Sequence, residues 1–210
     1  LLSPGTALRD GLDRIVHGRT GALIVLGCSD AVDALVTGGF SIDVPLTATS
    51  LRELAKMDGA ILLDERLERI VHAGAHLMPA AATPTDETGT RHRTADRVAR
   101  QTGVPTVSVS ASMASIALFL DGHRYPLQRP EQLLSAANQA LATLSRYRDR
   151  LTEDARRLTV LEVQDTVTVQ DVTVVARRVE LVNRLAEELS DIVVELGSDG
   201  RLVALQLQEL

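Results

Sequence analysis

The chain has 210 residues, 45% of them hydrophobic, and a formal net charge of −6 at pH 7. This length allows one sizeable domain with at most a small neighbour, and the lack of any long apolar run excludes a membrane-spanning helix. Because the net charge is negative, the chain lacks the basic surface that wraps duplex DNA. Most of the excess negative charge lies in residues 131–210. The single cysteine, Cys28, cannot form an internal disulfide. Without a signal-peptide pattern, we expect a cytoplasmic fragment.

Glycine and proline divide the chain into two parts. Twelve of the 14 glycines and all seven prolines precede residue 131, and neither residue type occurs from 131 to 196. Because both residues interrupt regular structure, this asymmetry predicts a mixed domain over residues 1–130 and a helical region over residues 131–210.

Within residues 1–130 the patterns predict strands that alternate with short helices, which is typical of an α/β fold. The predicted elements are a helix ending at Gly18, a buried strand at 22–26, a helix at about 50–57 that starts with a Ser50/Glu53 capping box, a buried strand at 59–63, a polar loop at 79–90, a helix at 94–102, and strands at 104–109, 116–120 and 125–127, the last two joined by a turn at Asp121-Gly122.

Residues 131–210 show two apolar helical stripes, from Leu133 to Leu151 and from Val172 to Ile192. The β-branched residues of segment 166–169 predict a break near 165–169, after which Thr168 and Asp171 would cap the second helix. Gly197 should end it. A helical pair of this kind most often serves packing or dimerisation and carries no chemistry.

An arginine cluster is the first candidate site. Four arginines and one aspartate lie between Arg91 and Arg100, at the start of a predicted helix. Forked guanidinium groups, together with the hydroxyls of Thr90 and Thr94, suit phosphate oxygens. The other interpretation is a solvated helix start with surface arginines, and the pattern alone favours neither.

A second candidate lies at Asp58-Gly59, before a buried strand. The carboxylate could hold a divalent metal over phosphates, and Gly59 could let a ligand approach the backbone, although Asp-Gly is more often a simple turn. His72 and His76 are four positions apart, but the sequence offers no third ligand for zinc. Cys28 is predicted to be a small core residue.

Three segments closely resemble the DisA family of diadenylate cyclases, the proteins with a DAC domain. They are KMDGAI (56–61), ETGTRHRTADR (87–97) and QALATL (139–144), and the tail ELGSDGRL (195–202) resembles the family too. The resemblance implies a DAC-type domain with a central mixed β-sheet flanked by helices, followed by an incomplete helical linker. Full-length relatives continue into a helix-hairpin-helix DNA-binding domain. We therefore expect this chain to stop before it and to bind no DNA specifically.

The activity implied by the resemblance is condensation of two ATP into cyclic di-AMP with release of two pyrophosphates, dependent on Mg²⁺ or Mn²⁺. The site would be shared by two facing subunits of a homo-oligomer, which is an octamer in full-length relatives, without a membrane partner. The alternatives are a weak or inactive module that binds ATP or cyclic di-AMP, and a purely structural oligomerisation fragment.

The resemblance also implies roles for single residues. Asp58 would be the metal ligand that helps activate the 3′-hydroxyl, and Arg91, His92 and Arg93 would act on the phosphates. The remaining ATP-binding positions would be Gly59, Ala60, Leu77, Thr90, Thr94 and Ser110. Two departures stand out: Ala111-Ser112-Met113 replaces phosphate-contacting arginines of many relatives, and Ala80 replaces an acid.

Overall fold

The structure is a computed structural model that describes residues 2–210. The chain forms two compact units. The first contains residue 2 and Thr6–Gln128, and the second contains Ser3–Gly5 and Arg129–Leu210. The functional division predicted at residue 130 stays a prediction.

The first unit alternates strands and short helices, as predicted. Its elements are α1 (Ala7–His17), β1 (Ala22–Leu26), α2 (Asp30–Asp33), β2 (Val36–Thr37), β3 (Phe40–Pro45), α3 (Ala48–Leu54), β4 (Ala60–Leu63), β5 (Arg69–Leu77), α4 (Thr90–Thr102), β6 (Thr106–Ser110), β7 (Ser115–Leu120) and β8 (His123–Leu127).

All eight strands form one mixed sheet. The order is β2-β5-β4-β1-β6-β7-β8, and β3 also pairs with β5. The pair β1/β4 is parallel, whereas every other pair is antiparallel. The fold class predicted from the sequence, an α/β fold with a central mixed sheet flanked by helices, is confirmed.

Helices cover both faces of this sheet. Ile24 of β1 packs in one buried cluster with Leu12 of α1 and Leu51 of α3, whereas Leu23 and Val25 pack in a second cluster with residues of α2 and α4. Because alternate residues of a strand point to opposite faces, a strand buried on both sides must be apolar throughout. This requirement explains the uninterrupted run Ala-Leu-Ile-Val-Leu of β1.

The predicted first residues of two helices are wrong. Helix α3 begins at Ala48, because Thr47 is the cap and Ser50, not Glu53, closes the capping box. Helix α4 begins at Thr90 instead of residue 94, and Gly89 precedes it without a capping side chain. The sequence patterns predict none of α2, β2, β3 and β5.

The second unit is helical, as predicted. Its elements are α5 (Pro130–Val163), α6 (Val169–Leu196), a short 3₁₀ helix (Gly197–Gly200) and α7 (Arg201–Gln208). The predicted break is confirmed: α5 ends before Gln164, and Thr168 and Asp171 form the capping box of α6. Gly197, with φ of 55°, ends α6 as expected.

The apolar stripes of this unit are only partly buried. Leu133, Ala137, Leu141 and Leu144 of α5 pack with Leu189 and Leu196 of α6 and with Val203 of α7. In contrast, Val172 and Val179 of the second predicted stripe are 49% and 39% exposed. The buried core of this unit therefore lies where the N-terminal part of α5, the C-terminal part of α6 and α7 meet.

Candidate active site

A cavity of about 700 Å³ opens in the first unit beside the start of α4. Eight of the ten site residues predicted from the sequence line it: Gly59, Ala60, Leu77, Thr90, Arg91, His92, Thr94 and Ser110. Asp58, which precedes Gly59, and Arg93, which follows His92, are not among the lining residues. The structure thus brings together segments that lie up to 51 positions apart in the sequence, while the roles of the residues stay predictions.

The N-terminus of α4 faces this cavity without a cap. Gly89 occupies the capping position with φ of 90° and offers no side chain, and the first helical hydrogen bond runs from the Arg93 N–H to the Gly89 carbonyl at 3.0 Å. The earlier start of α4 places Thr90, Arg91 and His92 in its first turn, where backbone N–H groups lack helical acceptors. An anion would be stabilised at this position.

The four arginines of the cluster fall into two pairs. Arg97 donates to the Thr83 carbonyl at 2.9 Å, and Arg100 pairs with Asp96 at 2.8 Å. Arg91 and Arg93 are exposed, and their guanidinium groups form neither an ion pair nor a hydrogen bond with any residue from 2 to 210. Only this second pair has guanidinium groups available to a ligand, and only Arg91 lines the cavity.

Close backbone contact shapes the turn that contains Asp58. Gly59 has φ of 109°, and a Cβ atom at this residue would lie 2.5 Å from the carbonyl carbon of Gly74 in β5. Gly74 itself has φ of 65°. Only glycine combines such a backbone with this approach, so the two glycines together fix where the chain enters β4 beside the cavity.

Asp58 is exposed and has no ion pair or hydrogen bond in the part of the chain that the structure describes. Across residues 2–210, no three His, Cys, Asp or Glu side chains come together as a metal site. A lone carboxylate still suits Mg²⁺, which usually takes one or two protein carboxylates and completes its shell with water and substrate phosphates. The donor set therefore fits a metal that arrives with a nucleotide.

His92 lies almost entirely below the surface of the cavity. Its residue is 6% exposed, its ring meets that of Phe119 edge-on at 6.1 Å between centroids, and its Nε2 atom is buried without a hydrogen-bond partner among the described residues. Burial lowers the pKa of His92, Arg124 lowers it further, and Glu87 partly opposes them. The imidazole is consequently neutral at pH 7.

The segment after β6 contributes no positive charge to the lining. The Ser110 hydroxyl accepts a hydrogen bond from the Met113 N–H at 3.3 Å and lies 3.3 Å from the Ser112 hydroxyl. Ala111 and Ser112 line the cavity where the resemblance leads us to expect arginines. Arg91 is therefore the one cationic side chain among the lining residues.

Sequence reasoning missed several lining residues because it missed β5. Ala75, His76 and Met78 line the cavity from β5 and the residue after it. His72 instead lines a different cavity together with Cys28. The two histidines thus belong to separate sites in the described chain, and the weak zinc interpretation of their spacing has no support.

A family profile described as DisA bacterial checkpoint controller nucleotide-binding matches residues 9–124. The chain belongs to this DisA family. A second profile, described as the DisA bacterial checkpoint controller linker region, matches residues 127–210. The DisA resemblance found in the sequence motifs is confirmed, and the cavity described above lies within the nucleotide-binding match.

Similar DisA proteins are longer than this chain. The DNA integrity scanning protein DisA of Acidothermus cellulolyticus is 57% identical over 209 residues, which cover 100% of this chain and 57% of the relative. That of Kineococcus radiotolerans is 58% identical over 210 residues and is covered to 58%. The chain therefore spans somewhat more than half the length of these DisA relatives.

A solved structure shares the fold. The crystal structure of a hypothetical membrane spanning protein from Bacillus cereus matches with a TM-score of 0.52 and 26% identity, over 59% of this chain and 62% of that one. In this DisA-family chain, no helix among residues 2–210 is long and apolar enough to cross a membrane.

Proposed function

We propose that the chain is the catalytic part of a diadenylate cyclase, which condenses two ATP molecules into cyclic di-AMP and releases two pyrophosphates. One observation carries the proposal within the family assignment: Arg91 lines the cavity beside the uncapped start of α4 and has no partner among the described residues. Guanidinium and helical N–H groups left free in this way favour a phosphate chain.

The dimensions and lining of the cavity support one nucleotide per chain. Its volume of about 700 Å³ lies within the range of small-molecule sites. Leu77 and Ala60 offer apolar surface to an adenine ring, while Thr90, Thr94 and Ser110 offer hydroxyls to phosphate oxygens. Since this cavity would hold one ATP, the second reacting ATP is left to another copy of the chain, so we propose a homo-oligomer with facing sites.

Asp58 would hold the Mg²⁺ or Mn²⁺ ion together with the phosphates. When bound, such an ion neutralises phosphate charge and makes the 3′-hydroxyl more acidic. The chain itself supplies the carboxylate, and its exposure beside Gly59 leaves it free to do so.

Each half-reaction is an in-line displacement. The 3′-oxygen of one ATP forms a bond to the α-phosphorus of the other, the bond from that phosphorus to the bridging oxygen of pyrophosphate breaks, and the 3′-proton leaves for solvent. Arg91 and Arg93 stabilise charge that develops on the departing pyrophosphate, and the His92 ring can donate an N–H to it. Two such steps close the cyclic product.

The test is a turnover assay with ATP and Mn²⁺ or Mg²⁺, in which cyclic di-AMP is identified by mass spectrometry. We expect Asp58→Asn and Arg91→Ala each to lower the rate by roughly 100-fold or more, since each removes a group that stabilises transition-state charge. Asp10→Asn and Arg66→Ala change exposed residues of the same types outside the cavity and should keep the wild-type rate. Activity that survives in both site variants would contradict the assignment of the site.

The second candidate function is a module that binds ATP or cyclic di-AMP without turnover. The absence of arginines from Ala111-Ser112-Met113 favours it, because the phosphates then meet less positive charge than in many relatives. Calorimetric binding of ATP combined with no product after long incubation would support this candidate over the cyclase.

A further inference from the structure

We infer that Gly21 is the positioning residue for Arg91: the missing side chain at the start of β1 leaves the space in which the Arg91 guanidinium lies. Nothing in the sequence motifs points to Gly21. Its consequence for catalysis rests on the proposed function, whereas its effect on the guanidinium does not.

Arg91 occupies the space that a side chain at position 21 would fill. A Cβ atom at this buried residue would lie 2.6 Å from Nη1 and 3.0 Å from Cζ of Arg91. A carbon atom does not approach non-bonded heavy atoms this closely, because the optimal van der Waals separation is about 3.5–4.0 Å. A side chain at position 21 would therefore displace the guanidinium.

The φ angle of Gly21 gives no further reason for glycine at this position. Gly21 is not among the residues with positive φ, in contrast to Gly27 and Gly59. The next residue, Ala22, begins β1 and pairs with Val109 of β6, whose carbonyl oxygen would lie 3.2 Å from the added Cβ. Alanine can adopt this backbone, so Gly21→Ala acts mainly through the space it fills.

Arg91 needs such a contact because it has no polar one. Its guanidinium forms no ion pair or hydrogen bond with the described residues, so packing alone limits its rotamers. The guanidinium and the Val109 carbonyl oxygen both border the space at Gly21, and Arg91 and Val109 both line the cavity. A charged group fixed before the ligand arrives needs less reorganisation during the reaction.

Gly21 thereby joins two elements of the site. Arg91 belongs to the first turn of α4, and Gly21 precedes the central strand β1, 70 positions earlier in the chain. Displacement of the guanidinium by an alanine methyl group would remove it from the phosphates without removing it from the protein. A misplacement of about 1 Å can lower a rate by roughly 100-fold.

The experiment is a double-mutant cycle with Gly21→Ala, Arg91→Ala and both changes together, read as ATP affinity by calorimetry and as the rate of cyclic di-AMP formation. We expect Gly21→Ala to weaken ATP binding by about tenfold and to lower kcat further, with no additional loss in the Arg91→Ala background. Equal losses in both backgrounds would overturn the inference, because Gly21 would then act independently of Arg91.

Gly18→Ala is the matched control. Gly18 lies three residues earlier, has φ of −72° and does not line the cavity, so this variant should retain wild-type affinity and rate. The melting temperatures of all variants show whether the fold persists.

A readout that needs no activity separates the two hypotheses. The Nε–Hε resonance of Arg91, assigned by its loss in Arg91→Ala, should shift in Gly21→Ala and stay in place in Gly18→Ala. An unchanged resonance overturns the inference even if the enzyme is active. A shifted resonance in a protein that forms no cyclic di-AMP supports the inference and contradicts the proposed reaction.

Discussion

His92 combines a buried imidazole with a cavity that we propose to hold phosphates. In the free protein, burial and Arg124 keep the pKa of His92 below its ordinary value of about 6.5. A bound anion would reverse this, because a negative charge near the ring favours the imidazolium. The residue would then gain a proton when pyrophosphate binds.

We therefore expect the pKa of His92 to rise on addition of pyrophosphate, measured by NMR titration of the ring. Pyrophosphate affinity should increase as the pH falls from 7 toward 6, and this increase should be smaller in His92→Gln, which cannot titrate. The ring resonances of His123 at a fixed pH are the internal control: this residue is exposed and lies outside the cavity, so pyrophosphate should leave them in place. A His92 pKa that is unchanged by the ligand would show that no phosphate charge reaches the ring.

The lowered pKa of His92 also makes the stability of the fold depend on pH. Because the folded state lowers the pKa of His92, the unfolded chain binds more protons below about pH 6.5. The contribution of His92 to stability is thus complete above that pH and is lost as the pH falls toward the lowered value.

The sequence motifs predicted some single residues of the site and could not predict others. The arginine-rich sequence identified the correct end of the correct helix, but it could not separate Arg91 from Arg97 and Arg100. Their difference depends on the Thr83 carbonyl in a distant loop and on the orientation of Asp96. Gly21 gave no signal at all, because its importance depends on a side chain 70 residues away.

At the scale of elements, the cap of α6 is the clearest local signal in the chain. The Thr168 hydroxyl accepts from the Asp171 N–H at 3.3 Å, and the Asp171 carboxylate accepts from the Thr168 N–H at 3.1 Å. The two hydrogen bonds satisfy N–H groups that helix geometry leaves without partners. The Thr168 hydroxyl also donates to the Asp171 carboxylate, and this bond, followed by the one from the Thr168 N–H, holds the pKa of Asp171 below its ordinary value.

We expect Thr168→Ala to lower the free energy of unfolding of the helical unit by about 1 kcal/mol, measured by urea denaturation. Thr173→Ala is the matched control: Thr173 lies inside α6, its hydroxyl donates to the Val169 carbonyl, and alanine there should be neutral or slightly stabilising. Since the Asp171 pKa is lowered on folding, its share of the cap persists above the ordinary aspartate pKa and disappears as the pH falls through the lowered value. Equal effects of the two threonine variants would contradict a capping role.

The elements that the sequence failed to predict lack such local signals. Strand β5 contains Gly74, a residue that weakens strands, and its register with β4 shifts there, so polar and apolar residues do not alternate cleanly. Helix α4 begins after a glycine with no capping side chain, so only residues from 94 onward look helical. Both irregularities lie at the cavity. Local pattern and structure thus disagree where the backbone is shaped for a ligand.

For the whole molecule, the proposed reaction requires two copies. In the proposed function the cavity near α4 holds one nucleotide per chain, while each turnover joins two nucleotides, so product should form only where two such cavities meet. At low protein concentration, where single chains predominate, the rate should rise with the square of the protein concentration. Above the concentration at which pairs form, it should become linear.

The measurement is the initial rate over a dilution series at saturating ATP and metal, with sedimentation velocity at the same protein concentrations. We expect the transition from second-order to first-order behaviour to coincide with the appearance of paired chains, because only the pair aligns each 3′-oxygen with the other α-phosphorus. ATP affinity should change little across the series, since each cavity binds its nucleotide alone. A constant rate per chain at dilutions where only monomers sediment would place both nucleotides on one chain, and the facing arrangement would have to be abandoned.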